Sequence, residues 1–240
     1  MKLAAMQPYF LPYLGYWQLL AAVDRFVVLD DVAFIQRGWV NRNRILVNGE
    51  SHLFTLPLRA ASQNRRINEL ELAVDASWLK RFRSTLRQSY QRAPYFEETS
   101  ALLDPILNQC SGLLLPLLLD SIHAVARHLE IGTSLVLASA LDPDHRDHGQ
   151  ERILDLCRLE NATDYYNLPG GKALYDSEAF QRAGILLRFV EPEQTRYPQS
   201  SGQWTPWLSI IDVMMHLGRV GTRRILLRHR ITETEQVCHQ

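Results

Sequence analysis

The stretch Lys2-Leu3-Ala4-Ala5-Met6-Gln7-Pro8-Tyr9-Phe10-Leu11-Pro12-Tyr13-Leu14-Gly15-Tyr16-Trp17-Gln18-Leu19-Leu20-Ala21-Ala22-Val23-Asp24-Arg25-Phe26-Val27-Val28-Leu29-Asp30-Asp31 decides the fold class. Lys2–Met6 is a short apolar run that reads as a buried strand. A loop punctuated by Pro8 and Pro12 follows, and Tyr13–Val23 then has helical spacing. Arg25–Leu29 is a second apolar, β-branched run, closed by Asp30-Asp31. Strand, loop, helix and strand within about thirty residues make a βαβ unit, which implies a parallel sheet with a right-handed crossover.

Working outward, three more short apolar runs each follow a helical stretch. They are Ser134–Ala138, then Asp164–Tyr166 after a helix over Gln150–Leu159, then Ile185–Val190 after one over Ser177–Arg182. The expectation is an open, mostly parallel, Rossmann-like α/β sheet of five parallel strands. Between the second and third strands, Ile45–Val47 and His52–Pro57 flank Asn48-Gly49, the signature of a hairpin turn with positive φ. Helical patterning over Ala76–Glu130, broken near Pro94 and Gly112, makes residues 40–130 a hairpin-plus-helices insertion or subdomain. Trp207–Leu217 and Thr222–Arg230 are expected to be C-terminal helices. Residues 1–240 then form a single α/β domain.

Composition narrows the class of partner. Of 240 residues, 46% are hydrophobic and 22% charged, close to ordinary globular values, which excludes disorder, collagen and coiled coil. The 26 basic and 26 acidic residues cancel, so no nucleic-acid partner is expected. The charge is unevenly spread: residues 37–92 hold eleven Lys or Arg against four Asp or Glu, a local excess of +7. Ten of those eleven are Arg, the side chain that grips phosphate or carboxylate in a fork. A solvated helix face over residues 80–92 accounts for part of that excess. Cys110, Cys157 and Cys238 form no CxxC pair, and Met1–Met6 runs into Gln7-Pro8 without a long apolar stretch. A reduced, cytoplasmic protein without membrane insertion is the expectation.

Ligands of open parallel sheets bind beyond the carboxyl ends of the strands. That rule selects the loop 7–15, residues 30–43, 139–149 and 167–175, and the loop after Val190. In the first, Gln7, Tyr9, Phe10, Gly15 and Tyr16 are candidate substrate contacts at a helix start, and a rigid apolar plug is the competing reading. There is no GxGxxG, no P-loop and no histidine in this loop. Asp30 and Asp31 could hold a sugar hydroxyl, bind Mg²⁺, act as a base, or form a structural acid–Arg network. Arg37, Trp39, Asn41, Arg42, Asn43 and Arg44 supply forks, amides and a flat ring, a mixture suited to phosphate with a sugar or base. Within Asp142–Gly149, His145 is a candidate base, while an HxxH metal pair and a solvated helix-capping loop are the alternatives. Tyr166 and Asn167 end a strand ahead of Gly170-Gly171-Lys172. Ser209 and Asp212 are polar positions in an apolar helical stretch, and a buried Asp212 would need a partner such as a loop arginine. Cys110 and Cys157 fall in apolar helices and read as core, and no GxSxG elbow is present. Direct attack by an acceptor amine or hydroxyl therefore fits better than a covalent enzyme intermediate.

Taken together, Gln7-Pro8, Phe10-Leu11-Pro12, Gly15-Tyr16, Asp30-Asp31-Val32, Arg37-Gly38-Trp39 and Asn41-Arg42-Asn43 resemble, in order and spacing, the amino-terminal signature of the WbqC-like family of bacterial proteins. Tyr90, Pro94-Tyr95-Phe96, Tyr197, Gln199 and Leu208–Asp212 resemble its later blocks, and the chain departs at Ala33 and Gln36, where the pattern has Gln and Lys. The resemblance implies surface-polysaccharide (O-antigen) or related sugar biosynthesis, a pathway rather than a reaction. On that basis the expected protein is a transferase moving an acyl or aminoacyl group to an amino group of a sugar nucleotide. Asp30, Asp31 or His145 would be the base, Arg37, Arg42 and Arg44 would grip phosphate, and Gln199, Ser209 and Asp212 would line the site. No metal site is assigned, though Mg²⁺ would be compatible. The donor would be a CoA or phosphopantetheine thioester, and the partner a phosphate-bearing small molecule or an acyl carrier protein. Nucleotidyl or adenylyl transfer at the first βαβ unit, and a non-catalytic carrier-binding module, are the alternatives.

Overall fold

The computed structural model describes residues 1–144, 148–193, 195–200 and 202–233. In chain order the elements are β1 (Lys2–Met6), α1 (Leu14–Ala21), β2 (Arg25–Val28), β3 (Arg42–Val47), β4 (Glu50–Thr55), β5 (Leu58–Arg59) and β6 (Glu71–Leu72). Then come α2 (Ala76–Tyr90), α3 (Phe96–Asn108), α4 (Leu114–His128), β7 (Ser134–Leu137), α5 (Ala138–Leu141) and α6 (Gly149–Leu159). The chain continues through β8 (Asp164–Asn167), α7 (Ser177–Arg182), β9 (Leu186–Pro192), α8 (Ile210–Leu226) and β10 (His229–Glu233).

The main sheet has the order β10-β9-β8-β1-β2-β7. β9, β8, β1, β2 and β7 run parallel to their neighbours, and β10 runs antiparallel to β9. Counted in chain order, the parallel strands lie 3-2-1-4-5, the doubly wound arrangement, and the order reverses between β1 and β8. The loops that leave the carboxyl ends of those two strands therefore flank a natural crevice.

Period-two alternation assigns each strand residue to one of two cores. Ala4, Phe26, Val28, Tyr166 and Val190 pack with α1, α2, α3, α4 and α8. Leu3, Ala5, Val27, Tyr165, Leu187 and Phe189 pack on the other face with α6 and α7. β3 and β4 pair as the expected hairpin, with Asn48 and Gly49 both at positive φ (53° and 83°). Helix breaks fall where Pro94 and Gly112 place them, between α2, α3 and α4.

The carboxyl-terminal expectation needs correction. The helix expected from Trp207 starts at Ile210, because Ser209 is its cap and its hydroxyl accepts from the Ile211 N–H at 3.3 Å. Gly218, at φ 58°, divides α8 into two segments, so a pair of helices is correctly read there. The second segment ends at Leu226 rather than Arg230. His229–Glu233 instead covers the exposed edge of β9 as an antiparallel strand. The β5–β6 pair has two residues per strand, too few to carry a period.

Candidate functional site

The loop after β1 is pinned from both sides. Phe10 and Leu11 are wholly buried, and the Phe10 N–H donates to the Val40 carbonyl at 2.9 Å. The Leu11 carbonyl accepts from Asn43 Nδ2 at 2.7 Å and from the Ser209 hydroxyl at 2.6 Å. The Pro12 carbonyl accepts from the Trp17 indole at 3.0 Å and from the Ile210 N–H at 2.9 Å. Leu11 and Trp207 sit at φ 47° and 60°, strained values for residues with a Cβ. Such strain persists only where the surroundings enforce it, and here the hairpin and the start of α8 do so.

These restraints shape a cleft of about 270 Å³ lined by Tyr9, Pro12, Tyr13, Trp39, Asn43, Arg44 and Trp207. Two large rings stand open to solvent at its mouth, Trp39 at 43% and Trp207 at 51% exposure. The Arg44 and Arg42 guanidinium groups lie over the Trp39 ring at 5.4 and 5.7 Å from its centroid. Arg42 Nε donates to the Gly38 carbonyl at 2.6 Å. Among the described residues, the partner of the Arg44 guanidinium is the Trp39 ring, so its donors remain open to an anion. Trp207 meets the Tyr13 ring edge-on at 5.7 Å, and burial pushes the Tyr13 phenol up to about 12. Gly15 is required here, since a Cβ would press on the Tyr13 ring and on Pro192.

The sequence candidates separate into groups. Tyr9 and Asn43 line the cleft with Trp39, and Arg42 stacks at its rim. Arg37 is exposed nearby in sequence, at φ 61°. Phe10 and Tyr16 are wholly buried and pack in the core, and the Tyr16 hydroxyl donates to the Gln7 carbonyl at 3.3 Å. Asn41 holds the Leu56 carbonyl at 2.8 Å. Tyr166 is a core residue on the α1 and α8 face, and Asn167 ties its side chain to the Tyr165 and Tyr175 hydroxyls at 3.1 and 3.0 Å. Lys172 pairs with Glu191 at 2.6 Å.

Asp30 and Asp31 are buried and engaged. Asp30 accepts from the Ser139 hydroxyl at 2.6 Å, the Ser139 N–H at 3.1 Å and Asn68 Nδ2 at 3.2 Å. Asp31 takes two contacts from Arg152 Nη2, at 2.8 and 2.6 Å, both side chains being nearly inaccessible. This pair clamps the end of β2 to α5 and α6, the acid–Arg network that was one of the sequence alternatives. His145 lies outside the described residues, and with it the HxxH reading. The N-cap position of α6 is His148. Among the described residues no cluster of three His, Cys, Asp or Glu side chains could hold a metal ion.

Asp212 is fully buried, with no side-chain exposure. Its partners are not arginines: Tyr90 donates to Oδ1 at 2.9 Å, and Tyr197 and Gln199 Nε2 donate to Oδ2 at 2.7 and 3.0 Å. Burial raises its pKa, against the pull of these donors and of His216. His216, one turn further along α8, places Nδ1 2.8 Å from the Asp212 carbonyl and Nε2 2.9 Å from the Ser200 hydroxyl. Ser200, His216, Tyr13 and Trp207 are the functional candidates that the sequence reading missed. The signal available for His216 was its four-residue spacing from Asp212 on an otherwise apolar helix.

Fold and site together define a doubly wound α/β protein with an aromatic, guanidinium-rimmed cleft at the carboxyl end of its first strand. The WbqC-like protein family model matches residues 7–224, and the chain belongs to that family. It is also 30% identical over 220 residues to a Mycobacterium tuberculosis (strain ATCC 25618 / H37Rv) protein described as uncharacterized protein Rv1507c, covering 90% of this chain and 94% of the relative. No solved structure matches. No helix among the described residues is long and apolar enough to cross a membrane.

Proposed function

We propose that this protein is a transferase of bacterial surface-polysaccharide or related sugar biosynthesis, moving an acyl or aminoacyl group to an amino group of a sugar nucleotide. The observation that carries the reading is the cleft itself. The Trp39 and Trp207 rings offer flat apolar faces for a base or sugar, and Arg44 offers open donors for a phosphate. The donor in this reading is a CoA or phosphopantetheine thioester, whose phosphates suit the local excess of positive charge. Nucleotidyl transfer is less supported, because the β1–α1 loop has no histidine to stabilise a pentavalent phosphoryl group.

The test is a thermal-shift panel of ATP, UDP- and dTDP-sugars, CoA and acyl-CoA, each with and without Mg²⁺, on the native chain and on Trp39→Ala. A ligand at a hundredfold excess over its Kd adds about 2.7 kcal/mol, roughly 5–11 °C for a chain of this length. A shift with a sugar nucleotide or CoA that Trp39→Ala abolishes supports the reading. A shift with ATP alone moves the assignment to nucleotidyl transfer, and no shift at all moves it to a carrier-docking module.

A further inference from the structure

Ser200, His216 and Asp212 form a hydrogen-bonded series that none of the groups lining the cleft explains. A carbonyl oxygen only accepts, so the 2.8 Å contact with the Asp212 carbonyl fixes the imidazole proton on Nδ1. In the neutral imidazole Nε2 then carries the lone pair, and the Ser200 hydroxyl at 2.9 Å is the donor. The Asp212 carboxylate stands 3.7 Å from Nδ1, positioned to stabilise the imidazolium that appears when Nε2 takes a proton.

The carboxylate is itself held in place by paired requirements. The Tyr90 hydroxyl accepts from the Leu46 N–H at 3.0 Å, and the Tyr197 hydroxyl accepts from Gln199 Nε2 at 3.1 Å. The Tyr90 proton is thereby left for Asp212 Oδ1, and the Tyr197 hydroxyl, 2.7 Å from Oδ2, donates there beside the Gln199 amide. The imidazole ring is flanked by Tyr90, edge-on at 5.8 Å, and by Tyr197 at 6.3 Å. The base is buried and fixed in tautomer, while the serine it contacts is exposed. A purely structural hydroxyl gains nothing from that combination of an oriented base behind and open solvent in front.

We propose that Ser200 is an acyl-accepting nucleophile, with His216 as its general base and Asp212 as the group that positions and electrostatically supports His216. The Ser200 Oγ–H would attack the carbonyl carbon of an activated acyl ester or thioester. The new Oγ–C bond forms as the proton passes to His216 Nε2. Collapse of the tetrahedral adduct breaks the bond to the leaving thiolate or alkoxide, which takes that proton. An amine, or water, then attacks the acyl-serine ester, and His216 accepts its proton and returns one to Oγ. This inference rests on and deepens the acyl-transfer reading, replacing the direct attack expected from the sequence with an acyl-serine intermediate, and its test does not use the cleft's ligand.

The experiment is labelling of the full chain with a fluorophosphonate probe, whose fluoride leaves as Ser Oγ bonds to phosphorus, followed by peptide mass mapping. Hydrolysis of p-nitrophenyl acetate is followed in parallel. One adduct on Ser200 is expected, absent in Ser200→Ala and retained in Ser201→Ala. His216→Gln should label about 100-fold more slowly or worse, the lower end of what a general base supplies. Because a buried histidine variant can unfold, the native chain is also compared with the urea-unfolded chain, and Ser200 should react at least about 100-fold faster when native. No adduct on Ser200, or equal rates in native and unfolded chains, overturns the proposal. Labelling without any nucleotide binding leaves Ser200 standing and removes the cleft reading, and the converse result does the opposite.

Discussion

Replacing Tyr90 by Phe removes one oxygen and two hydrogen bonds. The hydroxyl donates to Asp212 Oδ1 at 2.9 Å and accepts from the Leu46 N–H at 3.0 Å, joining α2, the β3 strand and α8 at one point. A hydrogen bond to a charged group contributes about 1.5–3 kcal/mol, and a buried backbone donor left without a partner costs about 1–3 kcal/mol more. Tyr90→Phe should therefore destabilise by about 2.5–6 kcal/mol. Tyr197→Phe removes one donor to Asp212, while Gln199 Nε2 keeps both the Thr205 carbonyl and Asp212 Oδ2 at 3.0 Å. Its cost should be about 1.5–3 kcal/mol. Both are measured by urea unfolding with the slope checked for constancy, and Tyr90→Phe should lower the thermal midpoint by at least about 5 °C. The double variant should depart from additivity by more than about 0.5 kcal/mol, since both phenols serve one carboxylate. A Tyr90→Phe loss below about 1 kcal/mol, or a larger loss for Tyr197→Phe, would refute the network as described.

Three further outcomes are expected. Gly218→Ala should cost at least about 2 kcal/mol, because φ 58° with ψ −173° is a glycine conformation and the added Cβ would collide with the Tyr95 ring; an unchanged urea midpoint contradicts this. Burial pushes the Asp164 carboxyl up, but hydrogen bonds from Thr163 and Arg188 outweigh it and hold its pKa below the ordinary 3.8. The stability this contributes is full above that value and drains away as pH falls through the lowered one, so Asp164→Asn should flatten the acid limb of a stability-against-pH curve, and parallel curves would count against it. Burial pushes the Cys110 thiol up to about 11 and Cys157 to about 12, so neither should alkylate in the native chain at pH 8 within minutes, while both should after unfolding.

The fold was legible because its signals are local. Lys2–Met6 and Arg25–Leu29 carry strand character in their composition, and Asn48-Gly49 encodes a turn that few other pairs can adopt. The His229–Glu233 strand was not legible, since its place depends on an unpaired edge of β9 supplied from elsewhere in the chain. At the site, Trp39, Arg42 and Arg44 could be read as a ring among guanidinium groups, and the structure stacks them so. Phe10 and Tyr16 could not be separated from the true cleft residues, because an aromatic in a Pro-rich loop looks the same whether it points into the core or out of it. Asp212 was recognised as buried, but its partners lie 122 and 15 residues away at Tyr90 and Tyr197, a pairing only the fold creates. Ser200 carries no motif at all, and its significance comes from the His216 ring behind it.

The most direct test of the cleft is calorimetric titration of the native chain and Arg44→Gln with the sugar nucleotide or CoA compound that gives the largest thermal shift. Loss of a charge-assisted contact to phosphate should raise Kd by roughly 10- to 150-fold, with the thermal stability of the unliganded chain unchanged. An identical Kd in both proteins, or no heat of binding from any phosphate-bearing ligand, would contradict the account.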